Sequence, residues 1–267
     1  MGHAIAHVGV LKALERAGIP IHCLAGTSGG ALIGSLFCAG VTPSKLEEAS
    51  RRIGWKRFAS LSLFASKGLA TSEPVARFVS RMIAPKTRFS EMVRPLAVTG
   101  TDLLTGETLI FKEDSCPVPE AVRVSCTIPV VYAPVVREGR LLVDGGVSDP
   151  LPVDAVRALG AEFVIAVSLR HRPRELRNLL EVGLQMLDVT TASLAEMAKE
   201  HADFAIEVDV GSVDKWDFRQ AENLIVRGEE ATKRALPDLE RALRRRRSFW
   251  FRFLWAPVLK VLGLKPG

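Results

Sequence analysis

Ser28 sits in the run Gly26-Thr27-Ser28-Gly29-Gly30, a G-x-S-x-G pattern. Those residue types suit nucleophilic attack on a carbonyl. A serine on a tight strand-to-helix corner is pushed outward, and flanking glycines tolerate the strained backbone and leave room for a substrate. The helix that follows aims its N-terminal amides at the same spot, where they stabilise charge developing on a carbonyl oxygen. Gly29 N–H is the natural donor. A glycine-rich turn that only packs a helix against a sheet would use the same residues, so the pattern gains its weight from its surroundings.

A serine hydroxyl needs a base, usually a histidine. The chain has five: His3, His7, His22, His171 and His201. Where the order runs serine, acid, histidine, His171 and His201 are the options. His171 stands in the basic run Arg170-His171-Arg172 and His201 lies near the end of a long helix; both read as surface positions. Asp144 is the better partner. It ends a short apolar strand and is followed by Gly145-Gly146, which puts a carboxylate at the carboxyl edge of a sheet. Ser28 also follows a strand's carboxyl end, so the two meet if their strands are neighbours. A carboxylate of ordinary pKa, about 3.9, is a weak base in water, but burial raises it in a dry cleft. The alternative reading of Asp144 is an Asx turn that caps its strand.

The elements that must hold these residues are legible as alternating strands and helices. Val8, Leu11 and Leu14 predict a helix over residues 5–17, stopped by Gly18. A strand over 21–25, the glycine corner and a buried helix over 31–39 follow. Residues 43–94 mix basic with apolar side chains and read as helices and loops covering the core and shaping the pocket. Further strands are expected at 96–99, 108–111, 141–143, 163–169 and 204–210, and helices at 118–124, 153–159, 174–201 and 221–246. This order predicts an α/β fold with a mainly parallel central sheet covered by helices on both faces.

Composition narrows the class. A chain of 267 residues with 48% hydrophobic residues builds a substantial core and is not a disordered polymer. Its four cysteines (Cys23, Cys38, Cys116, Cys126) follow no metal-like spacing and read as free thiols, which favours a reducing compartment. No signal peptide and no membrane-spanning run is visible, so a cytoplasmic location is expected. The net charge of +6 is concentrated near the C-terminus, where Arg244, Arg245, Arg246 and Arg247 precede Phe249-Trp250-Phe251 and Trp255. Cations beside aromatic rings suit an anionic lipid surface, and the expectation is peripheral contact at the inner membrane face. No nucleic-acid-binding fold accompanies these arginines, so nucleic acid is not an expected partner. A terminal helix with its aromatic face packed and its arginines solvated is the plainer reading.

Together these residues resemble the patatin-like phospholipases, particularly the bacterial branch. Residues 6–14 (Ala6-His7-Val8-Gly9-Val10-Leu11-Lys12-Ala13-Leu14) look like the family's first helix, and Gly26 to Ala31 is similar to its nucleophile corner. Ser125-Cys126-Thr127-Ile128-Pro129 resembles the segment preceding its acid. Val143-Asp144-Gly145-Gly146-Val147 looks like its D-G-G motif, with Leu151-Pro152-Val153 after it. The resemblance implies a Ser28–Asp144 dyad without a catalytic histidine, acting through an acyl-enzyme on phospholipid or other fatty-acyl esters, with no metal or cofactor. An acyltransferase using the same dyad and a membrane-associated binding protein with a decayed site are the alternatives.

The family's pattern begins with a strand and a glycine-rich loop, G-G-G-x-[RK]-G, that lends amides to the oxyanion hole. Here His3 stands in place of the basic residue, Ala4 in place of the last glycine and Met1 in place of an earlier one. Gly2 remains as a candidate donor beside Gly29. Lack of the first strand predicts an open sheet edge or a gap in the core. Either the start lies upstream of Met1 or the activity is weakened. The expected organisation is one hydrolytic domain over residues 1–243 and a basic, aromatic tail over 244–267.

Overall fold

A seven-residue run that mixes apolar residues with two threonines and a glycine and ends in an aspartate, Leu96–Asp102, lies at the centre of the molecule with all seven residues buried. The computed structural model describes residues 2–51, 60–61, 70–172, 176, 178–213 and 217–250. Its elements in chain order are α1 (Ala6–Arg16), β1 (Leu24–Gly26), α2 (Gly29–Cys38), α3 (Pro43–Arg51), β2 (Ser60–Leu61), β3 (Ala70–Thr71), α4 (Glu73–Ile83) and β4 (Leu96–Asp102). There follow β5 (Thr108–Phe111), α5 (Val118–Ser125), β6 (Val135–Arg137), β7 (Arg140–Asp144), α6 (Val153–Arg157), β8 (Ile165–His171), α7 (Leu179–Lys199), β9 (Phe204–Gly211) and α8 (Ala221–Trp250). A 3-10 turn over Gly2–Ile5 leads into α1.

The α/β class is as expected: a central sheet with helices packed around it. Strand directions are mixed rather than mainly parallel. β1 pairs with β4 in parallel, whereas β5 and β7 flank β4 antiparallel and β6 pairs antiparallel with β7. The cause is local. β5 returns to β4 through a short turn at Gly106 (φ 76°), and β6 to β7 through Glu138 and Gly139, both at positive φ. Connections of that length cannot cross over a sheet face, so they make hairpins. β8 and β9 form a separate parallel pair.

Apolar helices close the core. α2 is apolar on nearly every side, and eight of its residues from Ala31 to Cys38 are buried, as a fully enclosed helix requires. α1 packs on α8 through bare backbone: a Cβ on Gly9 would fall 2.0 Å from the Ile225 carbonyl oxygen, and one on Gly228 would fall 2.1 Å from that of Ala6. Lys12, largely buried at this seam, is held at 2.6 Å by both Glu47 and Glu229.

Between β1 and β8 lies a cavity of about 680 Å³. Residues 19–27 and 159–167 line it without a break, so both strands face it edge-on. Among the described strands β1 pairs only with β4 and β8 only with β9.

Candidate active site

Ser28 stands between the end of β1 and the start of α2, at φ 52° and ψ −122°. Positive φ for a non-glycine residue is strained, and such residues cluster at functional corners. Steric limits explain the company it keeps. A Cβ on Gly26 would lie 2.7 Å from Ala31 N and from the Gly30 carbonyl, so only glycine fits there. Gly30 is different, since its nearest neighbour would be His7 Nε2 at 3.9 Å. Serine at a helix N-cap usually spends its hydroxyl on the helix amides. Ser28 makes no side-chain capping bond, and no described residue engages its Oγ. Gly29 opens α2, and its N–H is one of the amides that every helix leaves unmatched at this end. Among the described residues no acceptor faces it.

Asp144 ends β7 and is buried. The ladder brings it level with the serine corner. Gly26 pairs with Val98 and Asp144 with Gly100, and β5 takes the opposite edge of β4 at both heights, so β1 and β7 end facing one another along the same edge. Ser28 follows Gly26 by two residues, so the serine corner and Asp144 meet on that edge near the height of Gly100, with no strand between them. The carboxylate accepts Gly146 N–H at 2.8 Å. Gly146 is itself close to both: a Cβ there would be 3.1 Å from Asp144 Oδ1 and 3.9 Å from the Thr27 methyl. Thr27 ties the same corner down, its Oγ1 sharing a 2.7 Å hydrogen bond with Thr99 Oγ1 and donating to the Asp149 carbonyl at 2.8 Å. The structure thus brings Ser28, Asp144, Gly26, Gly29, Gly145 and Gly146 to one place. It contains no hydrogen bond between Ser28 Oγ and the Asp144 carboxylate.

Gly2 is buried in the 3-10 turn that packs against α2. His3 turns elsewhere, its Nε2 lying 2.6 Å from the Val213 carbonyl. His7 lines the cavity, and burial pushes its imidazole down to about 4, so it is neutral. His171 closes β8 and His201 follows α7, where its carbonyl accepts Arg157. Among the described residues no His, Cys, Asp and Glu group of three or more is placed to hold a metal. All four cysteines are free, with Cys38, Cys116 and Cys126 buried.

Sequence reasoning passed over one part of the site. Ser28 N–H donates to Ser125 Oγ at 2.8 Å, and the Cys126 thiol donates to the Ser28 carbonyl at 3.2 Å. Asp144 N–H donates to the Thr127 carbonyl at 2.8 Å. The only signal was the block Ser125 to Pro129, whose letters give no contact.

Toward the C-terminus, Arg244 reaches Glu240 at 3.3 Å and Arg246 reaches Asp203 at 2.8 Å. Arg245 is exposed. The side chains of Arg247 and Trp250, and Trp255 altogether, lie outside the described residues. α8 runs unbroken across residues 243 and 244. No described helix is long and apolar enough to cross a membrane.

The sequence and the fold both resemble known proteins. The sequence profile described as patatin-like phospholipase matches residues 2–157. An uncharacterized NTE family protein of Mycobacterium tuberculosis is 34% identical over 173 residues, 61% of this chain and 45% of that protein. Human patatin-like phospholipase domain-containing protein 6 is 30% identical over 173 residues, 61% of this chain and 12% of that protein. The chain therefore spans less than half the length of these relatives. VipD from Legionella pneumophila has a similar fold, with a TM-score of 0.62 at 12% identity over 89% of this chain and 65% of that one. The type III effector ExoU gives a TM-score of 0.51 at 15% identity over 89% of this chain and 51% of its own. With the glycine corner, the D-G-G turn and the profile in agreement over more than half its length, the chain belongs to the patatin-like phospholipase family.

Proposed function

We propose that the protein is a lipid acyl hydrolase that cleaves phospholipid or other fatty-acyl esters with Ser28 as nucleophile and Asp144 as base. The observation that carries this reading is a strained serine with an uncommitted hydroxyl, at the mouth of α2 and on the same edge of β4 as a buried carboxylate. Ser28 Oγ attacks the ester carbonyl carbon while its proton passes to an Asp144 carboxylate oxygen. The oxyanion meets Gly29 N–H and the positive end of α2, with Gly2 N–H as the second candidate donor. Collapse breaks the ester C–O bond, and Asp144 returns the proton to the departing alcohol. Water then attacks the acyl-serine and gives its proton to Asp144, which passes it to the departing Ser28 Oγ as the acyl C–O bond breaks and the fatty acid is released. Catalytic hydrogen bonds often tighten only when substrate binds.

The test is hydrolysis of p-nitrophenyl acyl esters and phospholipid vesicles by the full-length protein. Ser28→Ala and Asp144→Asn each lower kcat by at least about 10³-fold under this reading. Equal rates for wild type and Ser28→Ala would remove the assignment.

Contact with an anionic membrane surface through the C-terminal arginines belongs to the same proposal. Arg245 is its strongest described cationic support, because Arg244 pairs with Glu240 and Arg246 already faces Asp203. Replacing Arg244 and Arg245 with glutamate lowers sedimentation with phosphatidylserine vesicles and leaves neutral vesicles unaffected; unchanged binding to both would count against this surface.

A further inference from the structure

Strain at Ser28 must be held by something. A residue at φ 52° relaxes unless its neighbours over-determine it, and glycine is excluded because the hydroxyl is needed. The holding groups are consecutive. Ser125 Oγ accepts Ser28 N–H at 2.8 Å, and the Cys126 thiol donates to the Ser28 carbonyl at 3.2 Å, so both polar groups of the strained peptide are gripped from one side. The next residue, Thr127, offers its carbonyl to Asp144 N–H at 2.8 Å.

This tripeptide is well founded. Ser125, Cys126 and Thr127 are each 0% exposed. Cys126 N–H returns to the Val122 carbonyl at 3.0 Å and Thr127 N–H to that of Val124 at 2.9 Å, so the run closes the C-terminal end of α5. Thr127 Oγ1 donates to the Arg123 carbonyl at 2.8 Å and lies 2.8 Å from Ser72 Oγ, which anchors it to α4 as well. Burial, reinforced by the Asp144 charge, drives the Cys126 thiol far up from its ordinary range, so it stays protonated and remains a donor.

We propose that Ser125, Cys126 and Thr127 are positioning residues, a single rigid clamp that fixes the spacing between the nucleophile and the base. This rests on the Ser28–Asp144 reading. Ladder pairing sets the height of the two residues, but β1 and β7 are each joined to β4 and not to one another. The clamp supplies the direct cross-link. It couples residues 28 and 144 through three residues of one turn, with no intervening flexible side chain on the Asp144 arm.

The experiment measures covalent labelling of Ser28 by a fluorophosphonate, together with kcat, KM and melting temperature on an acyl ester. Ser125→Ala removes the acceptor and Cys126→Ala the donor, whereas Cys126→Ser restores a donor. Displacement of a reacting group by about 1 Å costs on the order of 10²-fold in rate. Labelling rate and kcat therefore fall by roughly that factor in both alanine variants, with KM nearly unchanged, and Cys126→Ser recovers most of the loss. Should Ser125→Ala fail to fold, the Cys126 pair decides. Wild-type labelling in the alanine variants, or Cys126→Ser as slow as Cys126→Ala, would overturn the clamp alone. A wild type that is not labelled at Ser28 at all would overturn the dyad reading, and the clamp with it.

Discussion

A Cβ atom on Gly145 would lie 2.3 Å from Thr99 Oγ1 and 2.6 Å from the Thr99 carbonyl oxygen. The D-G-G turn therefore rests directly on the β4 backbone, and Thr99 in turn holds Thr27 beside the nucleophile. Gly145→Ala must push β7 away from β4. It is expected to destabilise by about 3 kcal/mol or more, at the upper end of overpacking costs. Gly30→Ala meets only His7 Nε2 at 3.9 Å, and a helical alanine should be neutral or stabilising by up to about 1 kcal/mol. Urea unfolding of the two variants checks the contrast.

Ser28 and Asp144 act as one unit if they form a dyad, so their substitutions cannot add. Ser28→Ala with Asp144→Asn should hydrolyse esters no more slowly than Ser28→Ala alone. A double variant that loses the product of the two single factors would show independent roles. Single-turnover rates on one p-nitrophenyl ester provide the comparison.

Two partly buried groups give stability a pH dependence of opposite sign. His7 is depressed to about 4 by burial, so between about 6.5 and 4 the unfolded chain binds the proton that the fold refuses, and stability falls as pH drops through that window. Asp149 is raised to about 6, by burial first and by the Asp154 charge second. Here the fold holds the proton more tightly than the unfolded chain, so stability falls as pH rises from about 3.8 through 6. The two slopes oppose each other. His7→Gln should leave a protein that loses stability from pH 4 to 6, and Asp149→Asn one that gains it. Denaturant midpoints at half-unit pH intervals read both.

Asp203 gathers three donors: Arg246 Nη1 at 2.8 Å, Arg157 Nη2 at 3.1 Å and Val164 N–H at 2.8 Å. It ties the far end of α8 to α6 and to the entry of β8. Asp203→Ala leaves a buried amide unmatched and should cost about 1–3 kcal/mol. The same variant frees Arg246, so vesicle binding that rises as stability falls would show that this arginine is withheld from lipid in the folded protein. Calorimetry and sedimentation with anionic vesicles make the pair of measurements.

Which features the sequence reveals follows from how local they are. The run from Leu96 and the apolar segment behind Gly29 announce buried elements by composition alone, and β4 and α2 appear where periodicity places them. β6 escapes notice because it is three residues long and Val136, its middle residue, faces solvent at 72% exposure. Its turn uses Glu138-Gly139, not the Asn-Gly or Asp-Gly pair that marks a tight hairpin. The direction of β7 depends on that turn, so antiparallel pairing with β4 was hidden too. Gly26 and Asp144 flag themselves by type, but their placement opposite Val98 and Gly100 of one strand is a property of ladder register across 118 residues, which no spacing rule encodes. The hydroxyl of Ser125 is harder still, since it is one buried serine reaching an amide 97 positions away.

The torsion angles at Ser28 also bear on the history of the chain. A non-glycine residue at φ 52° carries a cost of about 1–3 kcal/mol that glycine would escape. Random replacement at this corner therefore drifts toward greater stability and away from serine. A lineage released from the need for a hydroxyl has an easy downhill exit by a single codon change. Serine at such a position is what the proposed nucleophile requires, and its backbone cost is the counterpart of that role.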